Sequence, residues 1–476
     1  MRHEDIQNPG GECASQRTSL QNQCIGHGHH GREINRATLR MQTPNAENLS
    51  LKNPSLRSGS LWVLCAKVAG ALAAYALAAL ISRQWGAQHY GAFELAVVLT
   101  WILAMFGRLG LDGAWVRHGA QGVAAGGFRS LRSAITSVLL VAGVAIVLGL
   151  GLTAWRGEVA SGFGSPELER MLGWCWAAVP GLALLGLAAE MLRGANRMAA
   201  YAWLQRGSVL LVVLVGCLLG ADENPFAWFA GGTMALAAVA VGFALRTYSL
   251  SVGAHEVSLG QLFHTGWPML LAAATFEMMS WTDTLLCGVY LDEVDVGRYR
   301  LAFRLSALLT LGQAAINSAI APRIAQAHAQ DPNRLEPMLS QAARWNWGIA
   351  LSGGLFLGLF GAEILPWFDA DFGNVSTEKV LHLLLVGSAF NAICGPVLTF
   401  MNMTGDERPA RNVVLVAAVV NLLLNLWWIP IYGMAGAAMA TVTATILWNL
   451  SALIHVRKHH GIWMFWPALA TRNPRE

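Results

Sequence analysis

Arg300 and Arg304 are the charged residues of this sequence whose type and spacing point most directly to chemistry. They lie four positions apart in an apolar stretch, so both guanidinium groups occupy one face of a helix. Neither has an acidic residue four positions away on its own helix, so the two cations need an anion from elsewhere. The structural alternative is a carboxylate such as Glu94 or Glu277. The functional alternative is a diphosphate or an acidic sugar of a ligand.

Two more cations lie in or beside apolar stretches. Lys67 is about 10 Å from the start of its helix, so its ammonium group either extends to water along the stem or contacts a ligand. Arg108 precedes Asp112 by four positions, and a local ion pair is the alternative to ligand binding. Together with Arg300 and Arg304, these residues are our candidates for binding an anionic substrate.

A second group of polar residues is suited to an ion rather than to a large anion. Asp283 follows Glu277 by six positions in an apolar stretch, and a buried carboxylate can carry a proton or coordinate sodium. Asn421 and Asn425 share a helix face, and amide oxygens suit a hard cation. The structural alternative is that both amides bridge neighbouring helices by hydrogen bonds.

Long apolar stretches must position these side chains. The chain has 476 residues, of which 55% are hydrophobic and 13% charged, about half the charged fraction of soluble domains. A helix needs about 20 apolar residues to cross a bilayer, and we count twelve such stretches. We therefore predict an all-α membrane protein with twelve transmembrane helices. The predicted spans are 60–81, 92–112, 133–153, 171–192, 203–219, 226–245, 265–289, 299–321, 346–366, 380–401, 412–430 and 434–455.

Several function classes are disfavoured by the same composition. The net charge of +4 does not indicate nucleic-acid binding. None of the four lysines follows a glycine, so the chain lacks a Walker-type phosphate loop. The seven cysteines are not closely spaced, and we interpret them as small apolar residues rather than metal ligands. No metal centre and no cofactor other than a coupling ion is expected.

An internal repeat divides the spans into two halves. Gly91 and Arg117 are 26 positions apart, as are Gly297 and Arg323, and the two pairs are related by a shift of 206. Six spans is an even number, so both halves enter from the same side as a parallel repeat, which predicts two pseudo-symmetric six-helix bundles. The predicted segments are a disordered cytoplasmic tail at 1–58, bundles at 59–245 and 265–455, a cytoplasmic linker at 246–264 and a cytoplasmic tail at 456–476.

Arginine and lysine in the connections predict the orientation. With an inner N-terminus, the inner connections hold 11 such residues and the outer ones 5. Both termini are therefore predicted to be cytoplasmic. The largest inner connection, 322–345, has spaced apolar residues that suggest an amphipathic helix on the inner surface.

Four stretches resemble a known family. Residues 82–93, 110–117 and 296–323 are similar to loops and span ends of O-antigen and exopolysaccharide flippases, and the turn IPIYGMAGAAMAT at 429–441 is the most specific match. The resemblance covers about 58–457. It implies membership of the multidrug/oligosaccharidyl-lipid/polysaccharide exporter superfamily.

This resemblance implies a function. Two six-helix bundles would work by alternating access and move an undecaprenyl-diphosphate-linked oligosaccharide, for O-antigen, lipopolysaccharide, capsule or exopolysaccharide, across a bacterial inner membrane. Membrane lipids and glycan polymerase or assembly proteins would be its partners. The related lipid II flippases have a sodium site whose positions match Asp283, Asn421, Asn425 and Thr441 here. The family has an acid where this chain has only amides, so Na⁺ and H⁺ both stay open as coupling ions.

Two alternatives remain. A drug or cation antiporter of the same superfamily would share the architecture, although the loops with Arg117 and Arg323 favour the flippase. A membrane glycan polymerase or ligase would need a large outer loop with Arg and His. The outer connections are short, so we predict that the protein is not an enzyme.

Overall fold

The computed structural model describes residues 54–124, 131–204, 206–220, 224–249, 257–462 and 464. The predicted tail 1–58 lies almost entirely outside these residues, as do the middle of the predicted linker and most of the segment 456–476. The regular elements of the described part are all helical, which confirms the all-α prediction. The helices are α1 Pro54–Gly107, α2 Leu111–Ala124, α3 Leu131–Ala154, α4 Arg156–Gly162, α5 Pro166–Leu172, α6 Cys175–Gly194, α7 Met198–Trp203, α8 Arg206–Leu219, α9 Pro225–Ser249, α10 Leu259–Tyr290, α11 Glu293–Gln330, α12 Leu335–Ile364, α13 Val375–Cys394, α14 Val397–Met403, α15 Glu407–Tyr432 and α16 Met434–His460.

Within the described residues, eight helices are long and apolar enough to cross a membrane, or nine if a bent pair counts as one span. The first helix, α1, contains the predicted span 60–81 and most of the predicted span 92–112, and its helical geometry breaks at Gly86, where φ is 90°. This value lies in the left-handed region that glycine adopts without a steric penalty. The predicted outer loop between these spans is thus mostly helical.

The bent pair is formed by α13 and α14, where we predicted one continuous span at 380–401. These helices meet at an angle of 43°. Gly395 has φ of 72° and is followed by Pro396, which has no amide hydrogen to continue the helical ladder. The Gly-Pro pair therefore ends α13 inside the predicted span.

The predicted amphipathic helix at 322–345 is wrong as a separate surface element. Helix α11 continues through Pro322 to Gln330, and a short 3-10 turn at Pro332–Arg334 leads directly into α12. The apolar residues of this stretch are buried in a cluster with α13, α14 and α16, so the pattern reflects packing between helices. Members of this cluster include Ile324, Leu335, Leu339, Phe400 and Val456.

The helices pack in two groups that follow the sequence order. Helix α6 contacts α2, α3 and α9, and α8 packs against α9. In the other group, α11, α12 and α13 contact one another, and α16 packs against α13 and α15. Helix α10 joins the groups because it packs against both α2 and α15. A backbone approach of Gly110 to Gly266 makes the α2–α10 contact close, since a Cβ on Gly110 would overlap the carbonyl oxygen of Gly266.

Candidate functional site

Helices α1 and α11 cross in close contact, and this crossing carries the predicted arginines. A Cβ on Gly91 would overlap the backbone carbonyl oxygen of Glu293, and a Cβ on Gly297 would lie 2.9 Å from the carbonyl oxygen of Ala87. Only glycine at these positions allows the two backbones to approach so closely. Ser165, the N-cap of α5, donates a hydrogen bond to the Glu293 side chain and ties α5 to the crossing.

Glu94 of α1 supplies the anion that Arg300 and Arg304 require. Its carboxylate is fully buried and accepts Nε of Arg300 at 2.9 Å and Nη2 of Arg304 at 2.5 Å. Arg304 also donates to the carbonyl oxygen of Ala74 at 3.3 Å. The structure therefore selects Glu94 over Glu277 as the carboxylate partner, and one buried acid serves two guanidinium groups.

The residues at this crossing are repeat equivalents of each other. Gly91 and Gly297 differ by the repeat shift of 206, as do Glu94 and Arg300. The crossing therefore joins equivalent positions of the sequence repeat. Divergence to an acid in one half and a base in the other turns what would be a like-charge contact into an ion pair.

A cavity of about 710 Å³ begins beside this crossing and separates the two groups of helices. Its walls come from α1, α2, α6, α7, α8, α10 and α11 and are mainly apolar. The ionisable side chains and the hydroxyl group that line it belong to Tyr75, Arg108, Asp112, Glu190, Glu277, Arg304 and Thr310.

Several charged residues of the cavity wall form ion pairs. Nε of Arg108 lies 2.8 Å from Asp112, and Nε of Arg193 lies 2.7 Å from Glu190. Arg304 extends from the wall to Glu94. An anionic ligand in the cavity therefore competes with carboxylates already in place.

The predicted substrate-binding residues are thus partly brought together. Arg108 and Arg304 line the same cavity, whereas Arg300 contacts Glu94 and is absent from the described lining. Lys67 belongs to the segment of α1 that lines the cavity at Ala66 and Gly70, but its side chain lies outside the described part of the structure.

Sequence reasoning missed Tyr75 and Tyr90. The Tyr75 hydroxyl donates to the carbonyl oxygen of Arg304 at 2.6 Å, and the Arg304 guanidinium lies 5.9 Å from the centre of the Tyr90 ring. Both residues are thus in position to hold Arg304. A tyrosine in an apolar stretch is usually an interfacial anchor, so the sequence gave no signal for either contact.

A second site surrounds Asp283 in α10. Its buried carboxylate accepts hydrogen bonds from the Tyr299 hydroxyl at 2.8 Å, the Asn425 amide at 2.7 Å and the Thr441 hydroxyl. Asn425 also donates to the carbonyl oxygen of Asn421, one turn earlier on α15. The four residues predicted from the lipid II flippase resemblance thus converge. Tyr299 joins them without having been predicted.

The amide oxygens of this site are uncompensated in the described part of the structure. The side-chain oxygens of Asn421 and Asn425 are buried and have no hydrogen-bond donor there. Donation to a carboxylate and to a backbone carbonyl, which only accept, fixes the orientation of the Asn425 amide. Asp283 and these oxygens therefore form a buried group of oxygen atoms that suits a hard monovalent cation. The predicted coupling residue Glu277 lines the cavity instead.

Helix α11 links the two sites through consecutive residues. Tyr299 donates to Asp283, and Arg300 pairs with Glu94. Successive residues of a helix point about 100° apart, so one helix presents a face to each site. A rotation or shift of α11 alters both contacts together.

Comparisons with known proteins agree with this architecture. The profile of the polysaccharide biosynthesis protein family matches residues 56–328, and that of the MatE family matches 268–427. A probable low-salt glycan biosynthesis flippase of Haloferax volcanii, Agl15, is 24% identical over 81% of this chain and 80% of its own length. A probable flippase of the same organism, AglR, is 23% identical over 78% and 77%.

Solved structures share the fold at low sequence identity. The lipid II flippase MurJ in its inward closed conformation is 14% identical, with a TM-score of 0.66 over 84% of this chain and 87% of MurJ. An inward-facing multidrug resistance MATE family transporter is 16% identical, with a TM-score of 0.62 over 85% and 96%.

The apolar helices and this shared fold define a multi-pass membrane protein. Because the first profile covers more than half of the sequence, the chain belongs to the polysaccharide biosynthesis protein family, which confirms the resemblance drawn from its motifs.

Proposed function

We propose that this protein is a flippase that moves a lipid-linked oligosaccharide across the membrane by alternating access. The observation that carries the proposal is the position of Arg304, which lines the cavity and at the same time holds Glu94 where the two halves cross. A cation that faces both the ligand space and the contact between the halves can connect substrate binding with opening. The glycan passes without chemical change, so the activity is transport rather than catalysis.

The cavity suits the head group, and the bilayer suits the lipid. A diphosphate and sugars lose their hydrogen-bond partners in hydrocarbon, so they need a polar path, whereas a polyprenyl chain can stay among the lipid tails. The diphosphate competes with Glu94 for Arg304 and with Asp112 for Arg108. Displacement of Glu94 weakens the α1–α11 crossing, and that end of the cavity opens. The resemblance favours undecaprenyl diphosphate as the carrier and O-antigen, capsule or exopolysaccharide units as cargo.

The proposed topology has twelve membrane spans. Counting two spans in α1, and including α8, α10 and the bent pair α13–α14, gives twelve spans in two six-helix bundles with both termini cytoplasmic. In this orientation the crossing lies at the outer end and the cavity extends toward the inner end, an inward-facing arrangement. The relatives Agl15 and AglR are described as probable flippases. For this chain we propose a bacterial inner membrane as the location.

A coupling ion binds at Asp283 in this scheme. The buried oxygens of Asn421 and Asn425 beside the carboxylate favour Na⁺ over H⁺, because a protonated Asp283 donates one hydrogen bond and can pair with at most one of them. We expect glycan export to fall when the sodium gradient is collapsed with an ionophore. Dependence on the proton gradient alone would replace Na⁺ with H⁺, and independence of both gradients would remove ion coupling.

The decisive variant is Arg304→Ala in the native host deleted for this gene. Loss of the guanidinium removes both the proposed phosphate contact and one of the two cationic partners of Glu94, so we expect glycan export to be abolished while the protein still inserts. Lipid-linked glycan should accumulate and is measured by mass spectrometry, with membrane insertion checked by immunoblot. Arg170→Ala is the matched control because that side chain is 59% exposed and pairs with Glu167 at the surface. Normal export by the Arg304 variant would contradict the proposal.

An antiporter for cationic drugs is the second candidate. Three carboxylates of the cavity wall, Asp112, Glu190 and Glu277, and the MatE match favour it. Uptake of a cationic dye by proteoliposomes, with no movement of a lipid-linked oligosaccharide, would establish this function in place of the flippase.

A further inference from the structure

Gly186 of α6 lies directly against the Arg108 side chain in the cavity wall. A Cβ on Gly186 would lie 2.5 Å from Nη1 of Arg108, 3.2 Å from its Cδ and 3.4 Å from its Cζ. The far end of the arginine side chain therefore runs along α6 where any other residue would place an atom. Both residues line the cavity, so this contact is part of the space proposed to hold the substrate.

The neighbours of Gly186 on α6 show that this space for the guanidinium depends on one residue. Leu182, Leu185 and Ala189 lie three or four positions from Gly186 on the same helix face, and all of them line the cavity. Each of these neighbours carries a side chain, whereas Gly186 carries none. The missing Cβ thus creates a notch in the α6 face, and the Arg108 guanidinium occupies it.

The bonding of Arg108 differs from that of Arg304. The Arg304 guanidinium donates a hydrogen bond to Glu94 at 2.5 Å. Nε of Arg108 lies 2.8 Å from Asp112, but this ion pair lacks hydrogen-bond geometry, and Nε has no acceptor in the described part of the protein. Asp112 instead accepts the backbone N–H of Gly113 at 2.9 Å. The described residues therefore offset the charge of Arg108 without satisfying its Nε–H group.

An arginine that retains unsatisfied N–H donors beside a cavity is suited to an anion with several oxygen atoms. A guanidinium binds phosphate through two parallel N–H···O bonds, which require its planar fork to face the phosphate oxygens. Binding of this kind depends on placement, because a displacement of about 1 Å can cost ~100-fold in the rate of a positioned reaction. The notch at Gly186 determines where the fork of Arg108 lies.

We propose that Gly186 is a positioning residue for the substrate, because it provides the notch that holds the Arg108 guanidinium where it binds the diphosphate. This inference rests on the proposed function and adds the place at which the head group is first held. In the orientation proposed above, Arg108 lies near the inner end of its predicted span, so the substrate meets it before it reaches Arg304.

The variant Gly186→Ala removes the notch. The new Cβ would overlap the far end of a flexible side chain, so the guanidinium can move away while the helices keep their packing. We expect an unchanged melting temperature and a Kd for farnesyl diphosphate that rises about tenfold, equivalent to ~1.4 kcal/mol. Isothermal titration calorimetry of the purified full chain in lipid nanodiscs measures this Kd, with empty nanodiscs as the blank.

The matched control is Gly143→Ala in α3. It also replaces a helical glycine, but nothing lies within 4 Å of a Cβ at that position, so the Kd should not change. A large fall in the melting temperature of Gly186→Ala, with none in the control, would show that Gly186 serves helix packing. That result would overturn its positioning role.

A double variant separates positioning of Arg108 from any other effect of Gly186. Arg108→Lys keeps the charge but cannot form two parallel bonds to phosphate, so it should also raise the Kd about tenfold. Combined with Gly186→Ala it should raise the Kd no further, because the fork is already displaced in that background. Additive effects, about a hundredfold in total, would show that Gly186 acts independently of Arg108 and would contradict the proposal.

Inorganic diphosphate as a second probe separates the two sources of a diphosphate group. A lipid-linked substrate predicts that the native protein binds farnesyl diphosphate more tightly than inorganic diphosphate. Equal affinities would contradict the lipid-linked cargo of the proposed function and leave the role of Gly186 intact. An unchanged Kd in folded Gly186→Ala would overturn that role and leave the proposed function intact. Binding of neither probe to the native protein would contradict both.

Discussion

Glu94, Arg300 and Arg304 show how single residues set the contact between the halves. The carboxylate is fully buried, and the side chains of Arg300 and Arg304 are 12% and 17% exposed. In such a low-dielectric environment, removal of one partner leaves charges that neither water nor protein compensates. Each partner of this ion pair is therefore needed to keep the charges of the others compensated at the α1–α11 crossing.

At this scale we predict the effect of Glu94→Gln. In this variant the two guanidinium groups lie near each other without an anion. We therefore expect the free energy of unfolding to fall by about 3 kcal/mol. Thermal unfolding of the purified protein, followed by intrinsic fluorescence, measures the loss. The double variant Glu94→Arg with Arg300→Glu exchanges the two charges. It should recover part of this loss of stability, because it restores one ion pair. Additive losses in the double variant would show that the two residues are not coupled.

At the scale of a single helix, contacts with Asp406 hold the C-terminal end of α16 in place. Asp406, between α14 and α15, forms a hydrogen bond with Nε2 of His460 at 2.8 Å, and Nε2 of His455 lies 3.2 Å from the same carboxylate. The His460 ring packs on Phe400. Burial alone would raise the pKa of Asp406, but hydrogen bonds and charge from His460 and His455 outweigh it and hold this pKa below its ordinary value. These contacts tie the C-terminal end of α16 to the start of α15.

We predict a pH-dependent loss of stability in Asp406→Asn. Because the pKa of Asp406 is lower in the folded protein, its stabilising contribution is complete above the unfolded value of about 3.9 and disappears as the pH falls through the lowered value. The difference in melting temperature between native protein and variant should therefore narrow as the pH falls below about pH 4.

A matched control for this variant is Asp331→Asn. Asp331 is 44% exposed and pairs with Arg334, which is 82% exposed, so this substitution should leave the melting temperature unchanged. A difference in melting temperature between Asp406→Asn and the native protein that widens below about pH 4 would contradict the stabilising role of the Asp406 carboxylate.

At the scale of the whole molecule, equivalent positions of the sequence repeat meet where α1 crosses α11. The equivalents Gly91 and Gly297 lie where α1 and α11 touch, and a side chain on either meets backbone rather than a movable group. Backbone atoms cannot rotate away as a side chain can, so an added methyl group must separate the helices. The repeat thus places its smallest residues where its two copies contact each other.

We predict that Gly91→Ala opens this crossing. Its Cβ would overlap the carbonyl oxygen of Glu293, so amide hydrogen exchange should increase in peptides that cover 87–94 and 293–300. Mass spectrometry of the protein in nanodiscs measures this exchange. Gly242→Ala is the control, because nothing lies within 4 Å of a Cβ at that position. Equal exchange in the two variants would show that the crossing tolerates a side chain.

The fold was predictable where local rules suffice. Apolar length specifies helices in a membrane because every backbone group must be paired within its own segment. The end of α13 could have been predicted from the Gly395-Pro396 pair, since Gly395 has a positive φ. Counting apolar residues alone did not reveal this break. The connection 322–345 shows a different error, because we predicted a helix on the membrane surface and its apolar residues are instead buried against other helices. A spaced apolar pattern is the same whether lipid or other helices cover it.

The sequence by itself determined the helices, the charged residues within them and the repeat that relates Glu94 to Arg300. Only the tertiary structure decided that Glu94 rather than Glu277 faces the two arginines and that Tyr299 completes the site at Asp283. The physical reason is distance along the chain. Helices form from contacts between near neighbours, whereas these pairings depend on the rotation and tilt of helices whose contacting residues are up to 210 positions apart.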